Sequence, residues 1–294
     1  QRQMCIRDRY NIMKNKLIII NIFLACFLIN ISGQDNIKVS LVKWSFRTQT
    51  ELLCQMGKDA HAEALEMVDT LKWDIVLQNG LQIAMADGAD MGIERGFCDK
   101  RWHKELIERY TYLLPKLKEK GIKQIVCYSG INTNLSDEEA LEVCVQGLKP
   151  ILEVAEKNGI TLSMELLSSH DTDEIFTKQR FKYYQCDNME WAVALCKRLN
   201  SPNLKLLYDI WHMQDMGRNV FDDIKKYHPY ISHYHIAAYP KRNILKKEDK
   251  FDYGRLVTEI QKTGYIGYIG LELDRVELDL EGTIKQSVNI LKNE

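Results

Sequence analysis

Glu165, Asp209, His235 and Glu272 are the residues of this chain whose types and settings point most directly to chemistry. Each closes or nearly closes a short apolar run: TLSMEL carries Glu165, LKLLYDIWHM carries Asp209, ISHYHIA carries His235, and YIGLELD carries Glu272. Three carboxylates and one imidazole form a ligand set for one hard divalent cation, Mn2+ or Mg2+, which prefers oxygen and tolerates a nitrogen. Four protein ligands leave room for a bidentate substrate. A cation holding a carbonyl and its neighbouring hydroxyl acidifies the carbon-bound proton between them. Carboxylates on opposite sides of that carbon could then remove and return it. Taken singly, an acid at a strand end is more often a helix cap or a salt-bridge partner. Four at four strand ends resist that explanation.

Other candidates gather near these. His212 follows Asp209 by three residues and could face the same cavity, although a lone histidine is more often a packing or surface residue. His233 shares a strand face with His235, and His235, nearer the strand end, is the expected ligand. Arg242 suits an anionic or hydroxyl-rich group. Glu66 ends an apolar strand and is a further candidate for the cavity, with a purely structural role about as plausible. Trp44, Tyr208 and Trp211 could wall a sugar site, although most aromatics near strands are core.

The elements that must position these groups alternate regularly. Strands are expected over 37–46, 64–68, 81–86, 124–128, 161–166, 204–209, 231–235 and up to Glu272. Helices are expected over 49–56, 69–78, 102–120, 136–158, 189–199, around 221–227, over 253–263 and from about 281. Ser136 with Glu139 forms a capping box, Asn158-Gly159 stops its helix, Pro150 is placed to kink it, and Asp187 can cap the next. The glycine-rich loop 87–97 is long enough to act as a lid. Apolar runs separated by helices imply a parallel sheet. Eight such units imply closure into a single-domain (β/α)8 barrel over 34–294, with chemistry at the carboxyl ends of its strands.

The first 33 residues differ. Residues 13–33, MKNKLIIINIFLACFLINISG, have a basic start, an apolar stretch and a small-residue end, the layout of a secretory signal. Export, to a bacterial periplasm, with cleavage before Gln34 is the expectation, and residues 1–12 are expected not to be natural. A membrane anchor needs a longer apolar run, so no membrane association is expected once the leader is removed. Lipid attachment at Cys26 fits less well, because apolar FLINI follows it. Six cysteines remain beyond the leader: Cys54, Cys98, Cys127, Cys144, Cys186 and Cys196. Their spacing suggests no zinc knuckle, and Cys127 and Cys144 sit in core-like runs. A formal net charge of -1 argues against a nucleic-acid partner.

Together, MELL, LLYDIWHMQ, SHYHIAAYPKRN and TGYIGYIGLELD, with LQIAMADG and IVCYSG, resemble the hydroxypyruvate isomerase-like branch of the xylose-isomerase-like TIM-barrel superfamily. The resemblance covers nearly all of the chain after the leader. It implies that Glu165, Asp209, His235 and Glu272 hold the metal, that Glu165 and Glu272 also form the acid/base pair, and that His212 and Arg242 bind substrate. It implies proton transfer through a cis-enediolate in a small hydroxy-carbonyl compound or sugar; the partner expected is that small molecule, with a homo-oligomer left open because the sequence does not set the oligomeric state. Members named for hydroxypyruvate often have Gln where His235 stands, whereas ketose 3-epimerases have His. The usual PGR and acidic loop is here PKRNILKKED, and the loop after Glu165 is also its own version. Endonuclease relatives need histidines from early strands, where this chain reads AMADG and CYSGIN. A non-catalytic sugar-binding barrel is the remaining alternative.

Overall fold

A computed structural model describes residues 37–132, 134–170, 183–274, 276 and 278–293. The expected leader lies outside these residues. Eight strands follow in order: β1 (Lys38–Val42), β2 (Ala64–Glu66), β3 (Gln82–Ile83), β4 (Gln124–Cys127), β5 (Thr161–Glu165), β6 (Leu204–Asp209), β7 (Ile231–Ile236) and β8 (Tyr268–Leu271). All pair in parallel in the order β3-β2-β1-β8-β7-β6-β5-β4. A parallel bridge between Ala86 and Ile125 joins β3 to β4 and completes the ring. The (β/α)8 barrel expected from the alternation is the fold observed, and Ile37–Glu294 form one compact unit.

Side-chain alternation explains why apolar runs serve here and where the polar exceptions point. Leu41 and Val39 of β1, Leu162 and Met164 of β5, Leu206 and Tyr208 of β6, and Ile269 and Leu271 of β8 join the core between sheet and helices. The residues between them, Ser40, Ser163, Glu165, Leu207, Asp209, Gly270 and Glu272, therefore face the barrel interior. In β7 the register slips: Leu206 pairs with Ile231, but Leu207 pairs with His233. That irregularity sets His233 and His235 beside Leu207 and Asp209 on the inward face.

The flanking helices are α1 (Thr50–Asp59), α2 (Trp73–Gln78), α3 (Lys100–Glu119), α4 (Asp137–Asn158), α5 (Met189–Leu199), α6 (Ile210–Asp215), α7 (Val220–Tyr227), α8 (Tyr253–Lys262) and α9 (Leu280–Lys292). The capping box at Ser136 and Glu139 is present, and Gly159 ends α4 with φ 67°. Helix α4 runs through Pro150 to that stop. Asn188, not Asp187, caps α5, its side chain accepting from the Trp191 N–H.

Other differences from expectation have local causes. β1 ends at Val42 because Lys43–Ser45 form a 3-10 turn, whose Ser45 hydroxyl accepts from the Leu273 N–H at 3.0 Å. α2 starts late because Asp69 caps a separate turn over Thr70–Lys72. The loop after β3 is strapped down at its end: Ile131 N–H donates to Glu94, Phe97 N–H to Tyr128, and Cys98 N–H to Ser129. There Gly96 and Gly130 touch backbone to backbone, and a Cβ on either would collide with the other. This end of the loop is a clasp over the shortest strand pairing. The six cysteines among the described residues are all buried and unpaired. Among the described residues no helix is long and apolar enough to cross a membrane.

Candidate metal centre and active site

Each site residue is delivered by a strand end. Glu165 and Asp209 are the last residues of β5 and β6, His235 is the penultimate residue of β7, and Glu272 follows β8 directly. Their ligand atoms all lie within 4.8 Å of one another, and all four residues are buried. The four residues expected to share one cation are thus brought to one place.

Local chemistry aims each group. Asp209 is the N-cap of α6, and its Oδ1 accepts from the N–H groups of Trp211 (2.8 Å) and His212 (3.2 Å). Those bonds fix the carboxylate and leave Oδ2 for the site. His235 Nε2 lies 3.1 Å from Glu66 Oε2 in a hydrogen bond. Its Nδ1 is buried without a hydrogen bond, 3.4 Å from Glu272 and 3.7 Å from Glu165. An imidazole tied at one nitrogen and bare at the other, facing converging carboxylates, fits a divalent cation.

Arg242 sits in the loop after β7 with φ 45°. Its guanidinium reaches in to hydrogen-bond Glu272 and lies 3.3 Å from Asp209 Oδ2. Above, it is flanked by the rings of Trp211 (5.1 Å) and Trp44 (5.7 Å), so these two aromatics do line the mouth. Tyr208 does not: it is fully buried on the outer face, donating to Asp223 Oδ2 at 2.9 Å. His212 lies in α6, a helix the sequence reading missed because it is short and starts inside an apolar run. Its Nδ1 accepts from the Ser168 N–H at 3.1 Å, which leaves Nε2, 3.7 Å from Asp209, to carry the proton.

Burial and neighbouring charge separate these groups electrostatically. Burial, then repulsion from Glu272, raises the Glu165 carboxyl. The same two influences lift Asp209 well above the usual range despite Arg242. For Glu272 burial acts upward too, but Arg242 and His235 outweigh it and hold the group well below the ordinary value. Burial disfavours charge on His235, yet Glu272 and Glu66 raise it well above 6.5. Burial, then Arg242, drives His212 well below, so it is neutral. Two nearby carboxyls with opposed proton affinities are a pair able to act as acid and base.

Glu66 turns inward from the end of β2, with Leu65 beside it packing outward. It is wholly buried behind His235, accepting from Ser40 Oγ at 2.6 Å. Burial would raise its carboxyl, but His233 and His235 hold it low. Ser40, Ser168 and Gly270 were not singled out from the sequence. For Ser40 a signal existed: it is the polar residue of an otherwise apolar alternation, VSLV.

Over residues 58–294 the chain matches the family described as xylose isomerase-like TIM barrel. It is 27% identical over 246 residues to a Mus musculus protein named "Putative hydroxypyruvate isomerase", with 82% of this chain and 80% of that one covered. A Xenopus laevis protein of the same name is 29% identical over 143 residues, and there the chain spans 49% of the relative, with 49% of its own length matched. A solved Brucella melitensis structure, described as an AP endonuclease of family 2, superposes with a TM-score of 0.72 at 19% identity, covering 84% of this chain and 96% of that one. At that identity the likeness concerns the fold alone.

Proposed function

We propose, for a chain that belongs to the xylose isomerase-like TIM barrel family, that it is a divalent-metal-dependent isomerase or epimerase of a small hydroxy-carbonyl compound, in the manner of hydroxypyruvate isomerase. The carrying observation is the convergence of Glu165, Asp209, His235 and Glu272 within 4.8 Å. Those four residues would hold one ion, Mn2+ or Mg2+. When bound, the ion would polarise a carbonyl and its adjacent hydroxyl.

The residues of the chain account for the rest. Glu272, kept ionised by Arg242 and His235, is suited to accept the carbon-bound proton. Glu165, whose carboxyl burial favours in the protonated form, is suited to return one to the adjacent carbon or to the opposite face. Loss and return of that proton by way of an enediol gives isomerisation or epimerisation, depending on which atom receives it. Arg242, with a guanidinium held between Trp44 and Trp211, would bind a substrate oxygen. Neutral His212, with its proton on Nε2, would donate to a substrate oxygen. Histidine at position 235 supports a second reading, a ketose 3-epimerase type of activity on free sugars. A phosphodiester substrate is disfavoured because the group Glu165, Asp209, His235 and Glu272 offers one imidazole among three carboxylates.

The test is a screen of hydroxypyruvate, ketoses and aldoses with added Mn2+ or Mg2+, read as deuterium incorporation at carbon. Glu165→Gln and Glu272→Gln should each lower exchange by about 10²–10⁴-fold with little change in melting temperature. Exchange unaltered in both variants would remove the mechanism. Metal analysis should find one divalent ion per chain, and three zinc ions would point to nuclease chemistry instead.

A further inference from the structure

Behind the four converging ligands lies a second buried group, Glu66 with His233 and His235, drawn from β2 and β7. All three residues are fully buried, as is Ser40 of β1. Ser40 Oγ donates to Glu66 Oε1 at 2.6 Å, and Glu66 Oε2 takes His235 Nε2 at 3.1 Å. His233 Nε2 is 2.9 Å from that same oxygen but is not aligned for a hydrogen bond. Its ring instead meets His235 edge to face, with centroids 5.2 Å apart.

A carboxylate this deep needs space, and β8 supplies it. A Cβ at Gly270 would collide with Glu66 Oε1 and come within 2.8 Å of His235 Cδ2. Glycine inside a strand weakens it, and commonly marks a point where another group must approach closely. Here that group is the pair of Glu66 and His235. A serine on β1, an acid on β2, an imidazole on β7 and a missing side chain on β8 therefore converge on the far edge of one ring.

We propose that Glu66 is a positioning residue for His235. It accepts the Nε2 proton, so that the ring turns its Nδ1 lone pair towards Glu165 and Glu272. Ser40 seats Glu66, and Gly270 makes room for it. The proposal rests on the metal-site reading given above. A histidine carrying its proton on Nδ1 would present no donor atom in this orientation, and one free to turn would hold its donor in place only part of the time; partners of this kind typically change metal affinity by about 10–100-fold.

The experiment measures Mn2+ affinity of the metal-free protein by calorimetry, beside thermal unfolding without metal. Glu66→Leu should weaken Mn2+ binding by about 10–100-fold. Glu66→Gln, which keeps a carbonyl oxygen for Nε2–H, should recover most of it, whereas Glu66→Met, of similar length but with no such acceptor, should not. Gly270→Ala should weaken binding by pushing Glu66 aside. Ser40→Ala, the variant least able to disturb folding, should do so by several-fold. In wild type, 15N NMR of the protein loaded with diamagnetic Zn2+ should place the retained proton of His235 on Nε2. Wild-type affinity in Glu66→Leu and Ser40→Ala, or a proton on Nδ1 in the loaded protein, would overturn the proposal. Wild-type protein that took up no Mn2+ would instead overturn the metal reading, and the positioning role with it.

Discussion

The carboxyl-end interior of the barrel has two unlike arcs. Around β5 to β8 stand Glu165, Asp209, His235 and Glu272, joined by Arg242 from above. Across from them, Val42, Met67, Met85, Val126 and Tyr128 form an apolar cluster with Leu167, Tyr184 and Leu207. Both arcs are buried, so the difference is not one of solvent. The charged arc is tolerable because each carboxylate there meets a positive or donor group, while the other arc holds no cationic side chain and its side chains are mostly aliphatic. Its low polarity in turn strengthens the interactions on the charged side.

The strongest way to break that contrast is to exchange the chemistry of the arcs. Val126→Asp should cost about 3–5 kcal/mol in urea unfolding, because a buried charge there has no partner. Asp209→Asn should cost under about 1 kcal/mol in metal-free protein. Asparagine keeps the acceptor for Trp211 and His212 and relieves the repulsion from Glu272. Equal losses for the two variants would mean that neighbouring charge does not distinguish the arcs.

A second measurement sharpens the account of the charged arc. In the metal-free protein Glu272 and Glu66 raise the proton affinity of His235 against the effect of burial, and a ligand must give up its proton to a metal. Binding of Mn2+ near pH 7 should therefore release at least about one proton per ion. Calorimetry in buffers of different ionisation heat reads this directly, and a buffer-independent heat would exclude it.

The smallest effect concerns Asp87, just past β3 on the uncharged side. Burial, and then Asp90, push its carboxyl up to about 6 from 3.8. A raised acid favours the fold in its protonated form, so the stability it lends is full below about 3.8 and is lost as pH rises through 6. Asp87→Asn should stabilise the protein by about 1 kcal/mol at pH 7–8, discounted for partial exposure, and change little near pH 3.5. An equal gain at both pH values would show that charge is not the cause.

Much of this was legible in the chain. Alternation of apolar runs with capped helices gave eight units, and Glu165, Asp209, His235 and Glu272 stood out at the ends of four of them. Tyr208 was considered for the mouth although alternation from inward-facing Asp209 already puts it on the outer face of β6. Glu66 was noticed, but not its task, because its partner His235 lies 169 residues away. α6 was missed because its cap, Asp209, also reads as a strand end.

Period-two and period-3.6 patterning is written in neighbouring residues, so the strands, the helices and the acidic and imidazole groups at their ends follow from sequence. Which nitrogen of His235 faces inward, which glutamate has the higher proton affinity, and where Arg242 reaches depend on groups far apart in the chain. Only closure of the ring brings Ser40, Glu66 and Gly270 against His235, and Arg242 against Glu272. Proton affinity responds to charge and solvent within a few ångströms, and that neighbourhood exists only once the strands have closed on one another.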